Sequence, residues 1–377
     1  EGVLDRVILN SLFPDTSYAY ESGGDPEEIP NLTYDQFLDF HRKYYHPSNS
    51  YIYLYGDMDM EEKLKWLDEN YLCEFDAAEV DSEIRFQKPF DKMIEVEKTY
   101  SISSEETEEE NTYLSYNKVI ATSLDEKLYQ AFQILDYALL SAPGAPLKNA
   151  EPQQKEQFVQ VIEDTLRKIV EDGIDQKALE AGINYYEFRF READFGNYPK
   201  GLMYGLDLFD SWLYDEKKPF IHMQAIPTFA FLKEQIGTRY FEDLIRKWIL
   251  DNPHGSMVIV KPERGRTARM DRELDEKLQA YKAGLSTDEV EKLARDTAEL
   301  IAYQESEDAR EDMEKIPVLG REDISREIAP ICNEERTCDG IPMIYHNVET
   351  NGIGYVTLLF DLSGVPEEKL PYVGMLQ

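Results

Sequence analysis

The sequence predicts an α+β protein built from tandem repeats, in which antiparallel sheets are covered by helices and a helical hairpin joins the repeats. Three observations support this fold class. A helix, a stop and an alternating strand pattern follow one another between residues 32 and 57. Strands followed by helices return between residues 94 and 262. Two charged amphipathic helices then occupy residues 264–315, and new strand patterns begin near residue 325.

The first unit, residues 1–85, has a clearly marked helix. Thr33 and Gln36 have the spacing of a capping box, and Pro47 ends the helix because its ring removes a backbone donor. Residues 51–55 alternate between aliphatic side chains and tyrosines, which predicts a strand. The side chains predicted to face the core are Phe37, Phe40 and Tyr44 on this helix, and Met60, Leu64, Leu67 and Tyr71 on a second helix capped by Asp59.

The second unit, residues 94–262, is predicted to start with a strand pair and a covering helix. A strand from Ile94 leads into the acidic run 105–110, interpreted as a solvated hairpin tip, and residues 112–121 form the predicted partner strand. Ser123 and Glu126 are the predicted cap of the covering helix. Further helices are predicted by apolar periodicity, and a last strand by an apolar run; these segments are 158–169, 179–190, 202–214, 238–250 and 256–261.

The remaining residues predict a linker and a third unit. In the hairpin, residues 264–315, Gly284 ends one helix and Ser286 with Glu289 caps the next. We interpret it as linker architecture, in preference to a partner-binding coiled coil. In the third unit, residues 325–377, Asp339 and Gly340 predict a turn, and residues 353–362 predict a long apolar strand.

Composition limits the partners. The chain of 377 residues has 40 Lys and Arg against 76 Asp and Glu, a formal net charge of −36, which argues against nucleic acid. We interpret the charge as a solvated surface, with an acidic chamber for basic peptides as the alternative. The sequence has no apolar run long enough to span a membrane and no signal peptide at its N-terminus. Three cysteines suit a reducing compartment and predict the cytoplasm.

Several words in the first unit carry a resemblance to a known family. They are SGGDP at residues 22–26, FHRKYYHPSN at residues 40–49, and a strand ending in GD at residues 56–57. Together they resemble the back half of a catalytic repeat in the pitrilysin/insulinase-type (inverzincin) zinc metallopeptidases, in the presequence-protease branch. The resemblance implies that residues 1–85 are the C-terminal part of a catalytic-type repeat without its zinc motif, and that residues 325–377 begin a third, noncatalytic repeat.

The family's zinc motif is H-x-x-E-H, in which two histidines hold the metal and the glutamate is the general base. The resemblance places this motif shortly after a Gly-Val-Pro turn, here Gly364 to Pro366. The two histidine positions are then occupied by Glu367 and Pro371, and the glutamate position by Leu370. Leucine cannot accept a proton from water and proline has no ligand atom. The third repeat is therefore predicted to be noncatalytic.

We predict no catalytic, cofactor-binding or metal-binding residue in this chain. The histidines, His41, His46, His222, His254 and His346, contain no pair spaced to hold a metal from one helix. His41 and His46 are instead given a structural role, a helix-end hydrogen bond with an aromatic neighbour. Cys332, Cys338, Asp339 and His346 are interpreted as free side chains because their spacing is unlike that of a zinc knuckle. The acidic runs 105–110 and 305–314 lack the glycine and the ligand spacing of a calcium loop.

The resemblance implies a function for a longer polypeptide. This chain would supply the chamber wall and hinge of a zinc metalloendopeptidase that degrades unfolded peptides, with the Zn²⁺ ligands outside the chain. The alternative is a noncatalytic homologue that binds peptides or a partner. The family also has a loop and strands between the helix at 124–140 and the helix at 152–171. Their lack predicts that a segment is missing near Lys148–Glu151. The sequence carries no information on oligomeric state.

Overall fold

A mixed sheet with helices against both of its faces forms the centre of the protein. The structure is a computed structural model that describes residues 2–26, 28–140, 147–316, 318–327 and 332–374. The α+β class predicted from the sequence is confirmed. The helices are α1 (Gly2–Leu12), α2 (Tyr34–Tyr44), α3 (Met60–Asn70), α4 (Glu126–Leu140), α5 (Lys155–Asp172), α6 (Gln176–Glu192), α7 (Lys200–Trp212), α8 (Ile226–Glu234), α9 (Tyr240–Ile245), α10 (Arg266–Ala283), α11 (Thr287–Gln304), α12 (Arg310–Met313) and α13 (Leu370–Val373). The strands are β1 (Ile94–Ile102), β2 (Thr112–Lys118), β3 (Leu147–Ala150), β4 (Gly255–Arg264), β5 (Asn333–Cys338) and β6 (Ile341–His346).

The strand order of the main sheet is β1-β4-β2-β3. β4 runs parallel to β1, from the pair Ile94 and Ser256 to the pair Ile102 and Arg264, and antiparallel to β2. The prediction of an all-antiparallel sheet is therefore wrong, and so is the direct pairing of β1 with β2. β4 takes the central position because its residues 255–260 are buried on both faces, as expected of a strand with layers on each side.

The acidic run 105–110 is consequently a connection across β4 and not a hairpin tip. Its residues bind the end of β4: the Arg264 amide donates to Glu108 Oε1 at 2.8 Å, and Arg264 Nε donates to the Glu106 carbonyl at 2.6 Å. On the other side, the Glu110 amide donates to Glu151 Oε1 at 2.7 Å. These bonds tie the connection to both sheet edges that it bridges.

The two faces of the sheet are covered by helices from different parts of the chain. On one face, Val258 and Val260 pack with Leu4 of α1. On the other, Met257 and Ile259 pack with residues of α5. The N-terminal helix, which the sequence places in the unit 1–85, therefore packs on the sheet of the unit 94–262.

A helical core continues from the sheet. Its buried side chains come from α4, α5, α6, α8 and α9, and include Ile134, Val170, Ile183, Phe229 and Phe241. The predicted apolar stripes of α5 and α6 lie in or against this core. The α4 cap differs from the prediction, because Asp125 Oδ1 accepts from the Leu128 amide at 3.1 Å while the Ser123 hydroxyl donates to the Asp210 carbonyl.

Residues 51–55 form no strand, contrary to the sequence prediction. The tyrosines of this segment lie against α7 instead. Tyr55 packs beside Gly201 and Tyr53 beside Gly205, where the missing Cβ atoms leave room for the rings. Tyr51 contacts Trp212, with ring centroids 4.4 Å apart. The alternating pattern places the tyrosines on one side, but no neighbouring strand in the described residues offers the backbone partners that a sheet needs.

The linker helices form, but their apolar stripes remain exposed. The capping box of Ser286 and Glu289 is present as predicted. Leu274 and Leu278 on α10, and Leu300 and Ile301 on α11, are all exposed. The same is true of Phe37 and Phe40 on α2. The accessible surface of 29346 Å² is about twice the roughly 15,000 Å² typical of a compact monomer of this mass. Much of the apolar surface that the sequence assigns to a core is therefore uncovered.

The third unit contains the predicted turn but lacks the predicted long strand. Asp339 and Gly340 both have positive φ, 49° and 84°, which matches the turn that closes a two-residue hairpin between β5 and β6. Residues 353–362 form no strand, and Val356 and Leu359 are 82% and 93% exposed. The apolar run is real, but no described strand pairs with it.

Candidate functional site

The positions of the family's zinc motif carry no metal ligands in this chain. Glu367 lies in a single 3₁₀ turn, and Leu370 and Pro371 begin the four-residue helix α13. Within the described ranges, no group of three or more His, Cys, Asp or Glu side chains is arranged to hold a metal ion. The residues present therefore do not fit the zinc site that the resemblance implies for the whole enzyme.

The histidines predicted to be structural have structural contacts. His46 Nδ1 accepts a hydrogen bond from the Ser48 amide at 3.1 Å, and its ring lies edge-on to Phe75 at 5.4 Å. The His41 ring stacks on Tyr45, with centroids 4.6 Å apart. The helix-end hydrogen bond and the aromatic neighbour predicted for this pair are thus both present.

His254 joins α1 to the sheet. It is buried, its Nε2 lies 3.1 Å from the Leu12 carbonyl, and its ring lies 4.4 Å from that of Phe90. The hairpin β5–β6 separates the residues considered for a zinc knuckle. Cys338 pairs with Ile341 at the turn, whereas His346 pairs with Asn333 at the far end.

The acidic run 305–314 forms local ion pairs. Arg310 Nε lies 2.9 Å from Glu314 Oε1, and Lys315 Nζ lies 2.6 Å from Asp312 Oδ1. All four side chains are well exposed, so these pairs add little to stability. Neither they nor the neighbouring acids converge on one point.

A cavity that the sequence did not predict lies where α4, α6 and α7 meet the 3₁₀ turn His222–Gln224. Its volume is about 510 Å³, within the range of small-molecule sites. Polar and aromatic side chains from all of these elements line it, together with Asn351 from the third unit. Asn351 Nδ2 donates to the Arg191 carbonyl at 3.0 Å, which holds this residue at the cavity beside the end of α6.

Two carboxylates of α7 lie at the rim. Asp207 and Asp210 are three residues apart, so they share one face of the helix. The Tyr129 hydroxyl donates to Asp210 Oδ2 at 2.8 Å, and burial together with this bond raises the pKa of Tyr129. Partial burial, and then the charge of Asp210, raise the pKa of Asp207. Asp207 has no hydrogen-bond or ion-pair partner among the residues that the structure describes.

The inner wall contains buried polar atoms without partners. His222 and Gln130 are each 9% exposed. Gln130 Oε1 and both ring nitrogens of His222 have no hydrogen-bond partner in the described chain. Burial lowers the pKa of His222, and the charges of Asp210 and Glu126 oppose this only in part. The Ser123 carbonyl also acts on this pKa, but it does not reach hydrogen-bond geometry with the ring.

Aromatic rings complete the cavity. The Tyr129 ring lies 4.3 Å from the His222 ring, and Tyr204 and Phe195 contact each other edge to face at 5.8 Å. A lining cation, Arg189, is engaged elsewhere, because its Nη1 donates to the Tyr185 hydroxyl at 3.1 Å. The cavity therefore combines two rim carboxylates, buried acceptors and aromatic walls, a combination that favours a cationic group.

Sequence reasoning missed this cavity because its residues come from four separate elements. The spacing D-x-x-D at residues 207–210 was the one local signal, since it places two acids on one helical face. His222 was considered only as a metal ligand paired along one helix. Its position beside Tyr129 depends on the tertiary packing of α4 against the turn.

Two family models match the chain. The model described as the peptidase M16 inactive domain matches residues 31–151, and a second model, for the region associated with subfamily C of peptidase M16, matches residues 260–377. The chain therefore belongs to the M16 peptidases, as a noncatalytic part, and the resemblance to the pitrilysin/insulinase-type enzymes is confirmed.

Curated relatives include peptidases of the predicted branch. Presequence protease 1, chloroplastic/mitochondrial, of Arabidopsis thaliana is 32% identical over 99% of this chain and 38% of its own length. Protein HypA of Clostridium perfringens (strain 13 / Type A) is 40% identical over 100% of this chain and 42% of its own length. The chain thus spans about two fifths of these relatives. The two alignments cover 411 and 406 positions, so each relative has residues inside the matched region that this chain of 377 lacks.

A solved structure shares the fold. A protease from Helicobacter pylori superposes with a TM-score of 0.50 at 13% identity, covering 69% of this chain and 66% of that one. At this identity the match supports the fold alone. Among the helices of the described ranges, none has the length and apolar character needed to cross a bilayer.

Proposed function

We propose that this chain is the middle segment of a zinc-dependent metalloendopeptidase that degrades unfolded peptides inside a closed chamber. In this proposal the chain supplies chamber wall and hinge, while the catalytic metal site lies in other parts of the polypeptide. The observation that carries the proposal is the match of residues 31–151 to the M16 inactive domain, together with Glu367, Leu370 and Pro371 at the three motif positions.

The proposed units keep the boundaries predicted from the sequence: residues 1–85, 94–262, 264–315 and 325–377. One contact changes their meaning. Because α1 packs on β4, the first unit is attached to the second through a buried interface that contains Leu4 and Val258. Motion about the linker 264–315 would then carry residues 1–262 together.

The proposed cofactor is Zn²⁺, which supplies an activated water when it is bound. The described residues do not provide its ligands. The part that falls to this chain is to enclose the substrate, since a closed site that excludes bulk water strengthens the electrostatic interactions inside it. A chamber of limited volume also selects unfolded peptides over folded proteins.

We also propose a cytoplasmic location and peptides as the partners, without nucleic acid or membrane. The free state of Cys73, Cys332 and Cys338, all exposed, supports a reducing compartment. The net charge of −36 supports the exclusion of nucleic acid.

A noncatalytic, peptide-binding protein is the second candidate. The cavity at His222 favours it, because unpartnered buried acceptors suit a site that binds a ligand without chemistry. The two candidates differ in whether a polypeptide containing this chain and its flanking sequence cleaves peptides.

The test compares the chain alone with that longer polypeptide, using a quenched fluorescent unfolded peptide and metal analysis by mass spectrometry. We expect cleavage and stoichiometric zinc only with the longer polypeptide. A longer polypeptide that binds no zinc and cleaves nothing supports the second candidate. Stoichiometric zinc in the chain alone contradicts the assignment of its ligands to other residues.

A further inference from the structure

We propose that the cavity between α4, α6, α7 and the turn at residues 222–224 binds the guanidinium group of an arginine side chain in a peptide. The proposal rests on the proposed function only in taking a peptide as the ligand. It adds a binding site and a side-chain preference.

The first argument is the set of buried acceptors without partners. Gln130 Oε1 is buried and unpartnered, and His222 offers two ring nitrogens in the same condition. Buried polar groups are nearly always hydrogen-bonded, because leaving them unpaired costs free energy. A ligand that donates hydrogen bonds would satisfy them. The lowered pKa of His222 keeps its ring neutral at neutral pH, so that one ring nitrogen remains an acceptor.

The second argument is charge. Asp207 and Asp210 stand at the rim with a single partner between them, the Tyr129 hydroxyl on Asp210. Asp194 also lines the cavity and accepts only the Gly196 amide among the described contacts. The cation Arg189 donates to Tyr185, so the three carboxylates are not neutralised by a lining side chain. A positively charged group is favoured at this point.

The third argument separates arginine from other cations. A guanidinium is planar and has several N–H donors directed apart, so it can reach rim carboxylates and inner acceptors together. Its flat face also stacks on aromatic rings, which Tyr129 and Tyr204 provide. A divalent metal ion is disfavoured, because Asp207, Asp210 and His222 are not positioned as a ligand group in the described structure.

The test uses the full chain and small probes. N-acetyl-arginine methylamide is titrated by calorimetry, with the citrulline analogue as a neutral isostere and the lysine analogue as a compact cation. We expect arginine to bind about tenfold more tightly than either analogue, since a charge-assisted bidentate contact is lost in both. Equal binding of citrulline overturns the charge argument, and equal or tighter binding of lysine overturns the assignment of a guanidinium.

Two variants test the site itself. Asp207→Asn should weaken arginine binding about fivefold or more, whereas Asp172→Asn, with the same charge change on an exposed position of α5, should leave it unchanged. Equal effects of the two variants would reduce the attraction to net charge and overturn the site. Because Asp207 is exposed, its replacement leaves the core intact.

Gln130→Met adds a readout that a purely structural role would not give. Removing an unpartnered buried oxygen should raise the thermal stability of the free chain, while arginine binding becomes weaker. Lower stability or unchanged binding contradicts the assignment of Gln130 as a ligand acceptor. Binding of arginine by a chain whose longer polypeptide cleaves nothing would retain the cavity and reject the peptidase. Cleavage without arginine binding would do the reverse.

Discussion

The Ser11 hydroxyl donates a hydrogen bond to Ser256 Oγ at 2.8 Å, and both residues are buried. This contact joins the end of α1 to the start of the central strand β4, across 245 residues of sequence. It lies beside the bond between His254 and the Leu12 carbonyl. The attachment of the N-terminal helix therefore combines apolar packing with a polar contact that fixes its position along the strand.

Replacing Ser11 with alanine should lower the free energy of unfolding by about 1 kcal/mol, because Ser256 then loses a buried partner. Urea denaturation measures this loss. Ser104→Ala, at an exposed position of the β1–β2 connection, is the control and should be neutral. Equal stability of the Ser11 variant and the wild type would mean that the apolar contacts of Leu4 alone hold α1 in place.

Gly201→Ala tests the seating of residues 51–55 on α7. Alanine normally stabilises a helix interior by about 1 kcal/mol relative to glycine. Here an added Cβ would lie 2.2 Å from Tyr55 Cδ1, so the ring must move. We expect net destabilisation, with faster amide hydrogen exchange across residues 51–55.

The matched background for this experiment is Tyr55→Ala. Without the ring, the Gly201 substitution should recover its helical benefit and become stabilising. A stabilising effect of Gly201→Ala in the wild type as well would show that the segment does not pack on α7.

His222 should make stability pH-dependent near neutrality. Its folded pKa lies below 6.5 because of burial, despite the opposing charges of Asp210, Glu126 and Asp207. Between the folded value and 6.5 the unfolded chain binds more protons, so stability falls as the pH is lowered through 6.5. NMR titration of the His222 ring should give a midpoint below that of an exposed histidine.

The control for His222 is His346, which is exposed on β6. His222→Gln should flatten the stability profile between about pH 7.5 and pH 5.5, as measured by urea denaturation at each pH, whereas His346→Gln should leave it unchanged. An imidazole midpoint at or above 6.5 for His222 would contradict the burial argument.

Glu187 should contribute to the attachment of α8 to α6. Burial alone would raise its pKa, but hydrogen bonds from Lys233 of α8 and Arg191 of α6 outweigh burial and lower it. Arg191 Nη2 lies 2.8 Å from Glu187 Oε1. Glu187→Gln should cost about 1 to 3 kcal/mol at pH 7, because charge-assisted bonds to a mostly buried carboxylate are lost.

The sign of the pH effect follows from the lowered pKa. The contribution of Glu187 is present above pH 4.5 and is lost as the pH falls through the folded value. The difference between wild type and variant in urea denaturation should therefore shrink in acid. Glu180→Gln, at an exposed position of the same helix, should show neither the loss nor its pH dependence.

The sequence predicted the features that depend on neighbours along the chain. The Thr33, Asp59 and Ser286 caps are present because a side chain and the amides it satisfies lie within three residues. The turn at Asp339 and Gly340 is local in the same sense. The cap of α4 was misassigned by two residues, since Ser123 binds Asp210 from another helix instead.

The features that failed are those set by distant partners. β4 separates β1 from β2, although the buried run Met257 to Val260 carried a signal for a central strand. Residues 51–55 and 353–362 have strand patterns without a described neighbour. The cavity at His222 depends on four elements meeting, and single-residue patterns do not encode that meeting.

The central position of β4 has a consequence for translation. The ribosome completes β2 at Lys118 long before it reaches Arg264 at the end of β4, a delay of roughly 7 to 30 s at ordinary elongation rates. Throughout that interval β1 and β2 lack the strand that lies between them, and their edges are open to aggregation or to a chaperone. A pause or truncation before residue 255 should therefore leave a nascent chain without a sheet, whatever the state of its helices.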